Sequence, residues 1–100
     1  MQEITQDDLQ QVVGSGPVLI DFYTDWCIPC KSLRPMLDDI AQDRPNLTVV
    51  AVNIENSVYL AEKYGVSSVP TMMLLEGNRQ QKIIGMRSKH DLTELIDAFF

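Results

Sequence analysis

The stretch VLIDFYTDWCIPCKSLRPMLDDIA, residues 18–41, changes its apolar period halfway along. Val18 to Tyr23 is an almost continuous apolar, β-prone run, the pattern of a strand buried on both faces. Beyond Cys27 the apolar residues Leu33, Met36, Leu37 and Ile40 recur at i, i+3, i+4 and i+7, which is one stripe of a helix. Pro35 lies inside that stripe and is expected to bend the helix, because it lacks a backbone donor. The chain has two cysteines, Cys27 and Cys30, and both stand where strand gives way to helix.

The alternation continues in both directions. On the N-terminal side, Thr5 with Asp8 three residues later spells a capping box for a first helix. Leu9, Val12 and Val13 form its inner face, and Gly14-Ser15-Gly16-Pro17 ends it. On the C-terminal side, LTVVAVNI (47–54) repeats the buried-strand pattern. A short helix follows, capped by Asn56 or Ser57, with Leu60, Ala61 and Tyr64 inward and Gly65 past its end. TMMLL (71–75), the turn residues EGN and QQKII (80–84) read as an antiparallel hairpin. Ser88 and Asp91 cap a last helix with the stripe Leu92, Leu95, Ile96, Phe99 and Phe100. The order is α-β-α-β-α-β-β-α, with a brief edge strand, if any, around Glu3-Ile4. Such alternation defines an α/β fold, a central sheet with helices on both faces.

One hundred residues, without repeat or linker, are expected to form one domain over 1–100. A net charge of −6 argues against a nucleic-acid backbone as partner. The longest apolar run is too short to cross a bilayer, and MQEITQDD is acidic where a signal peptide would be basic and then apolar. The expected location is therefore cytoplasmic, where thiols are kept reduced. A C-x-x-C pair in that compartment is more often catalytic or metal-binding than a permanent staple.

A structural zinc needs four ligands, whereas this chain offers one cysteine pair and a single distant histidine, His90. As a staple, so short a loop would remove little chain entropy. The redox reading draws support from position. Cys27 at a helix N-terminus meets unpaired N–H groups and the positive end of the dipole, which favour thiolate, the nucleophilic form. Cys30 follows one turn later on the same side, as a less acidic and more buried thiol suited to resolving. Pro29 is tolerated in a first turn and stiffens the loop.

These residues resemble the thioredoxin family. DFYTDWCIPCK is similar to the family's active-site segment, usually W-C-G-P-C-K. VPT (69–71) matches the segment that carries its cis-proline, KSLRPMLDDIA its kinked helix, and VNIENSVYLAEKYGV its approach to that proline. Gly77 and Gly85 fall where the family keeps turn glycines, and the likeness spans nearly the whole chain. It implies the thioredoxin fold, with a central mixed four- or five-stranded sheet. It also implies a protein-disulfide reductase with no cofactor of its own, acting on disulfide-containing proteins as a monomer and recharged by a thioredoxin reductase using NADPH and flavin or another donor. Cys27 would attack a target disulfide and Cys30 would resolve the mixed disulfide. Asp21 would take the resolving proton, in keeping with a carboxylate inside VLIDFY whose pKa desolvation raises. Failing that, it would face solvent at an edge or cap the backbone. Pro70 would be cis, with Val69 hydrogen bonding an extended peptide; Trp26, Ile28 and Pro29 would line the docking face. Lys31 reads as solvated helix surface, and Met72 and Met73 as sheet residues.

Two departures stand out. Ile28 replaces the family's usual glycine at the mouth of the site. Ala51 stands where thioredoxins commonly carry a lysine, so Asp21 is expected to have a higher pKa than in a lysine-bearing relative. A disulfide oxidant or isomerase, and a docking subunit whose redox chemistry is incidental, are the alternative functions.

Overall fold

The computed structural model describes residues 1–14 and 16–100; Ser15, within the expected Gly14-Ser15-Gly16-Pro17 break, lies outside the described residues. The described residues form strands β1 (Gln2–Glu3), β2 (Val18–Tyr23), β3 (Thr48–Asn53), β4 (Thr71–Glu76) and β5 (Arg79–Ile84). The helices are α1 (Gln6–Val12), α2 (Ile28–Asp43), α3 (Val58–Lys63) and α4 (Lys89–Phe99). The sheet order is β1-β3-β2-β4-β5, so β2 is central. β3 runs parallel to β1 and to β2, and β4 is antiparallel to β2 and β5. The sheet is therefore mixed and five-stranded. The edge strand around Glu3-Ile4 exists but is two residues long, one position earlier than expected. Its pairing continues as Ile4 N–H donates to the Ala51 carbonyl at 2.8 Å.

Period-two alternation along β2 sends its side chains to opposite layers. Val18, Ile20 and Phe22 pack with Leu9 of α1, Leu60 and Ala61 of α3, and Met73 and Leu75 of β4. Leu19 packs on the other face with Leu33, Leu37 and Ile40 of α2, Leu92 and Ile96 of α4, and Met72 and Leu74. Asp21 shares the parity of Leu19, so the central strand presents a carboxylate to the layer beneath α2.

The ends of the elements carry the expected chemistry. α2 continues through the exposed Pro35 as one helix. The β4–β5 hairpin turns at Gly77, whose φ of +60° is a conformation L side chains rarely adopt. Gly65 (φ +66°) ends α3, and Val66 N–H reaches back to the Ala61 carbonyl at 2.8 Å. Tyr64, expected inside that helix, is its partly buried C-cap and packs against the α1/α3 core. Ser88 Oγ accepts the Asp91 N–H at 3.1 Å at the start of α4. Ser88→Ala leaves that N–H without its cap and is expected to destabilise the protein by about 1 kcal/mol in urea titration. An unchanged midpoint would mean the cap is dispensable.

Candidate active site

The site forms at the end of the sheet where β2 stops and β4 begins. Phe22 is registered with Thr71, which places the segment after β2, carrying the cysteines, at the same end as the segment before β4, carrying Pro70. Cys27 is the N-cap of α2, with Ile28 and Pro29 in its first turn. The two cysteines are joined by a disulfide with their Cα atoms 5.3 Å apart. Cys30 N–H points at Cys27 Sγ, 3.2 Å away. That donor and the N-terminal end of a four-turn helix are what would hold Cys27 as thiolate once the disulfide is reduced. The expected difference in burial is slight, with Cys27 5 % and Cys30 3 % exposed. The N-cap position, rather than accessibility, separates the two thiols.

Trp26 and Ile28 stand out into solvent, 69 % and 75 % exposed. The indole is nevertheless fixed, because its Nε1 donates to Glu55 Oε1 at 3.1 Å. Glu55 is itself held by the buried Asn53, whose Oδ1 accepts the Glu55 N–H at 2.9 Å. Pro29 is exposed. The Val69–Pro70 peptide bond is cis. Thr71 Oγ1 closes this loop by donating to the Ser68 carbonyl at 2.8 Å, and Gly85 N–H donates to the Pro70 carbonyl at 2.9 Å. Val69 makes no hydrogen bond to the described residues.

Asp21 is fully buried, and neither carboxylate oxygen has a hydrogen-bond partner among the described residues. The solvent-facing and backbone-capping readings of this residue are thereby excluded. Burial raises its pKa from 3.8 to about 7, against the opposing pull of the Arg34 guanidinium and with a smaller push from Glu3. Asp21 is registered with Ala51 on one side and Met72 on the other, and Glu3 lies beyond Ala51 in the same cross-strand row.

Three residues of this neighbourhood, Tyr23, Thr24 and Arg34, escape a reading of the sequence alone. Tyr23, Thr24, Cys30 and Arg34, with Asp25 and Lys31 at the rim, line a cleft of about 300 Å³ beside the disulfide. The Arg34 guanidinium lies over the Tyr23 ring, 4.6 Å from its centroid. Tyr23 Oη donates to Glu3, and burial together with that carboxylate pushes the phenol up to about 12. Thr24 Oγ1 is buried without a partner. Cys27 N–H approaches the Thr24 carbonyl at 3.4 Å. His90 is remote from the cleft, on α4, and pairs with Glu94 at 3.0 Å. Among the described residues, no cluster with metal-ligand spacing includes either cysteine.

A disulfide-bonded cysteine pair at a helix N-terminus, at one end of a mixed α/β sheet whose central strand buries a carboxylate, defines a protein that exchanges disulfides. The comparisons with known proteins agree. The thioredoxin family model matches residues 1–98, and the chain belongs to the thioredoxin family. It is 39 % identical to a thioredoxin of Chlamydia trachomatis over 97 residues, covering 96 % of this chain and 95 % of that one. Identity to a thioredoxin of Pseudomonas aeruginosa is 38 % over 99 residues, covering 95 % and 92 %. A solved structure of a mutant thioredoxin from Halobacterium salinarum superposes with a TM-score of 0.87 at 30 % identity, covering 98 % of this chain and 90 % of that chain. The protein is a thiol–disulfide oxidoreductase with a redox-active Cys27–Cys30 pair, and the oxidant, isomerase and docking-subunit readings are not favoured.

Proposed function

We propose that residues 1–100 act as a single domain that reduces protein disulfides, with Cys27 as nucleophile, Cys30 as resolving thiol and Asp21 as the base that accepts the Cys30 proton. The observation that carries this reading is the placement of Cys27 at the N-cap of α2 with the Cys30 N–H aimed at its sulfur. In the same reading, Val69 supplies main-chain hydrogen bonds to an extended target strand beside Pro70. Trp26, Ile28 and Pro29 form the apolar rim against which the target packs. The unpaired main-chain groups of Val69 and the solvent-facing Trp26 and Ile28 support that assignment. A thioredoxin reductase, drawing on NADPH through flavin or on another donor, returns the disulfide to the dithiol. The protein works as a monomer in the cytoplasm; among the described residues, no helix is long and apolar enough to cross a membrane.

The equilibrium reduction potential of the Cys27–Cys30 couple in glutathione buffers at pH 7 tests the direction of electron flow. The expected value lies near that of thioredoxins, about −270 mV, and below a glutathione poise of about −240 mV. A value near about −120 mV, as in strong oxidants, would overturn the reductase reading. Ile28→Gly measured alongside separates potential from partner choice. An unchanged potential with altered rates toward different protein disulfides assigns Ile28 to docking.

A further inference from the structure

We propose that Arg34 is a positioning residue of the resolving step, its guanidinium, docked on the Tyr23 ring, supplying the positive charge that keeps the buried Asp21 carboxylate able to accept the Cys30 proton. The proposal rests on the reading of Asp21 as that base. Cys30 and Arg34 are one turn apart on α2 and share a face of the helix. Asp21 and Tyr23 are two apart on β2 and share a face of the sheet. Stacking of Arg34 on Tyr23 at 4.6 Å therefore holds the cation over the face that carries Asp21. Arg34, Tyr23, Thr24 and Cys30 meet in one cleft. The anchor is itself fixed, since Tyr23 Oη donates to Glu3.

Among the described residues, no other element provides a cation to this carboxylate. Its partners across the sheet are Ala51 on β3 and Met72 on β4, and the next residue in the row is Glu3, of like charge. On its own strand Tyr23 shares the face of Asp21, and α2 brings Cys30 and Arg34 to the cleft beside Tyr23, with the Arg34 charge felt at Asp21. Lys31 and Asp25 stand exposed at the rim of the cleft. The other cations are engaged elsewhere: Arg44 pairs with Asp97, Arg79 with Glu76, Lys89 with Asp39 and the N-terminal ammonium with Asp38, Lys82 donates to the Gly65 carbonyl, Arg87 to the Ile84 and Met86 carbonyls, and Lys63 lies over the Tyr64 ring. Arg34 makes no ion pair with a described residue, so its charge is not spent on a surface carboxylate. Without it, a buried carboxylate would face one anion and no cation. In the step itself the Cys30 S–H proton passes to an Asp21 oxygen. The Cys30 thiolate attacks Cys27 Sγ, the Cys27–Cys30 bond forms, and the bond from Cys27 to the target sulfur breaks. The target leaves as thiolate with the bonding electron pair.

The test compares the full chain with Arg34→Ala, Arg34→Lys, Asp21→Asn and the double variant Asp21→Asn/Arg34→Ala. Two readouts are followed from pH 5.5 to 9: the carboxyl ¹³C titration of Asp21 by NMR, and the single-turnover release of target thiol from the mixed disulfide. Arg34→Ala is expected to move both midpoints to higher pH and to slow release about threefold at pH 7. Arg34→Lys, which keeps the charge, is expected to restore most of the loss. In the Asp21→Asn background, removing Arg34 should change the pH profile no further. An Asp21 titration that Arg34→Ala leaves in place overturns the proposal while the base reading stands. A release profile indifferent to Asp21→Asn overturns the base reading and with it the role of Arg34 in resolution, whatever the NMR titration shows.

Discussion

Cys30→Ser is expected to turn this protein from a catalyst into a trap. Mixed with a disulfide-bonded protein, the variant should accumulate a covalent adduct through Cys27, and steady-state disulfide reduction should fall by about three orders of magnitude or more. The argument starts from the asymmetry of the two thiols. Cys27 caps α2 and receives the Cys30 N–H, so its sulfur is the one on which the helix end stabilises negative charge. Cys30 lies within the first turn and lines the cleft beside the disulfide. Removing Cys30 leaves the attack intact but deletes the thiol that releases the target. Cys27→Ser should lose both adduct and turnover, because a serine hydroxyl is not ionised at neutral pH and is a poor nucleophile toward sulfur. Mass spectrometry of the adduct without reductant decides the matter. An adduct formed through Cys30 in the Cys27→Ser variant would exchange the two roles. Biological function retained in full by Cys27→Ser would mark the protein as a docking platform.

Those assignments could be drawn from the sequence because each rests on neighbours along the chain. The change of period at Cys27 is a local signal, and it put Cys27 at the N-terminus of α2, where the structure makes it the N-cap. The burial of Asp21 follows from its place inside VLIDFY, a run too apolar to lie at an exposed edge. Ser88 and Asp91 marked the start of α4 through the same short-range chemistry. Arg34 was illegible for the opposite reason. Its importance depends on β2 and α2 being packed so that Tyr23 lies under the guanidinium, and nothing in the spacing of two residues eleven apart encodes that contact. Glu3 was equally hidden, since a two-residue edge strand has no period, and its alignment with Ala51 and Asp21 appears only in the register. The bond from Trp26 to Glu55 crosses from the end of β2 to the end of β3. Ala51 drew attention as a missing cation on β3; what the sequence did not reveal is that a cation approaches the same carboxylate from α2.

Asp21→Asn is expected to stabilise the folded protein at neutral and alkaline pH while slowing resolution. The carboxyl has a pKa raised from 3.8 to about 7 by burial. Between those values the folded state holds a proton that the unfolded chain has released, so stability falls as pH rises through the window and levels off above it. Below about pH 4 both states are protonated and the residue contributes no pH dependence. At about 1.4 kcal/mol per pH unit, the full fall is on the order of 4 kcal/mol. Asparagine removes the titration and keeps a neutral polar group of similar shape. The variant and the parent should therefore be nearly equal in urea titrations of the oxidised protein at pH 4, and several kcal/mol apart at pH 8 with the variant the more stable. Parallel pH profiles would show that the carboxylate carries no raised pKa and would remove the reason for regarding it as a base. The sign also explains why an unpaired carboxylate persists in the central strand. A neutral residue there would fold more tightly, whereas in the proposed role a group near half ionisation at pH 7 is what can both take the Cys30 proton and give it back within one turnover.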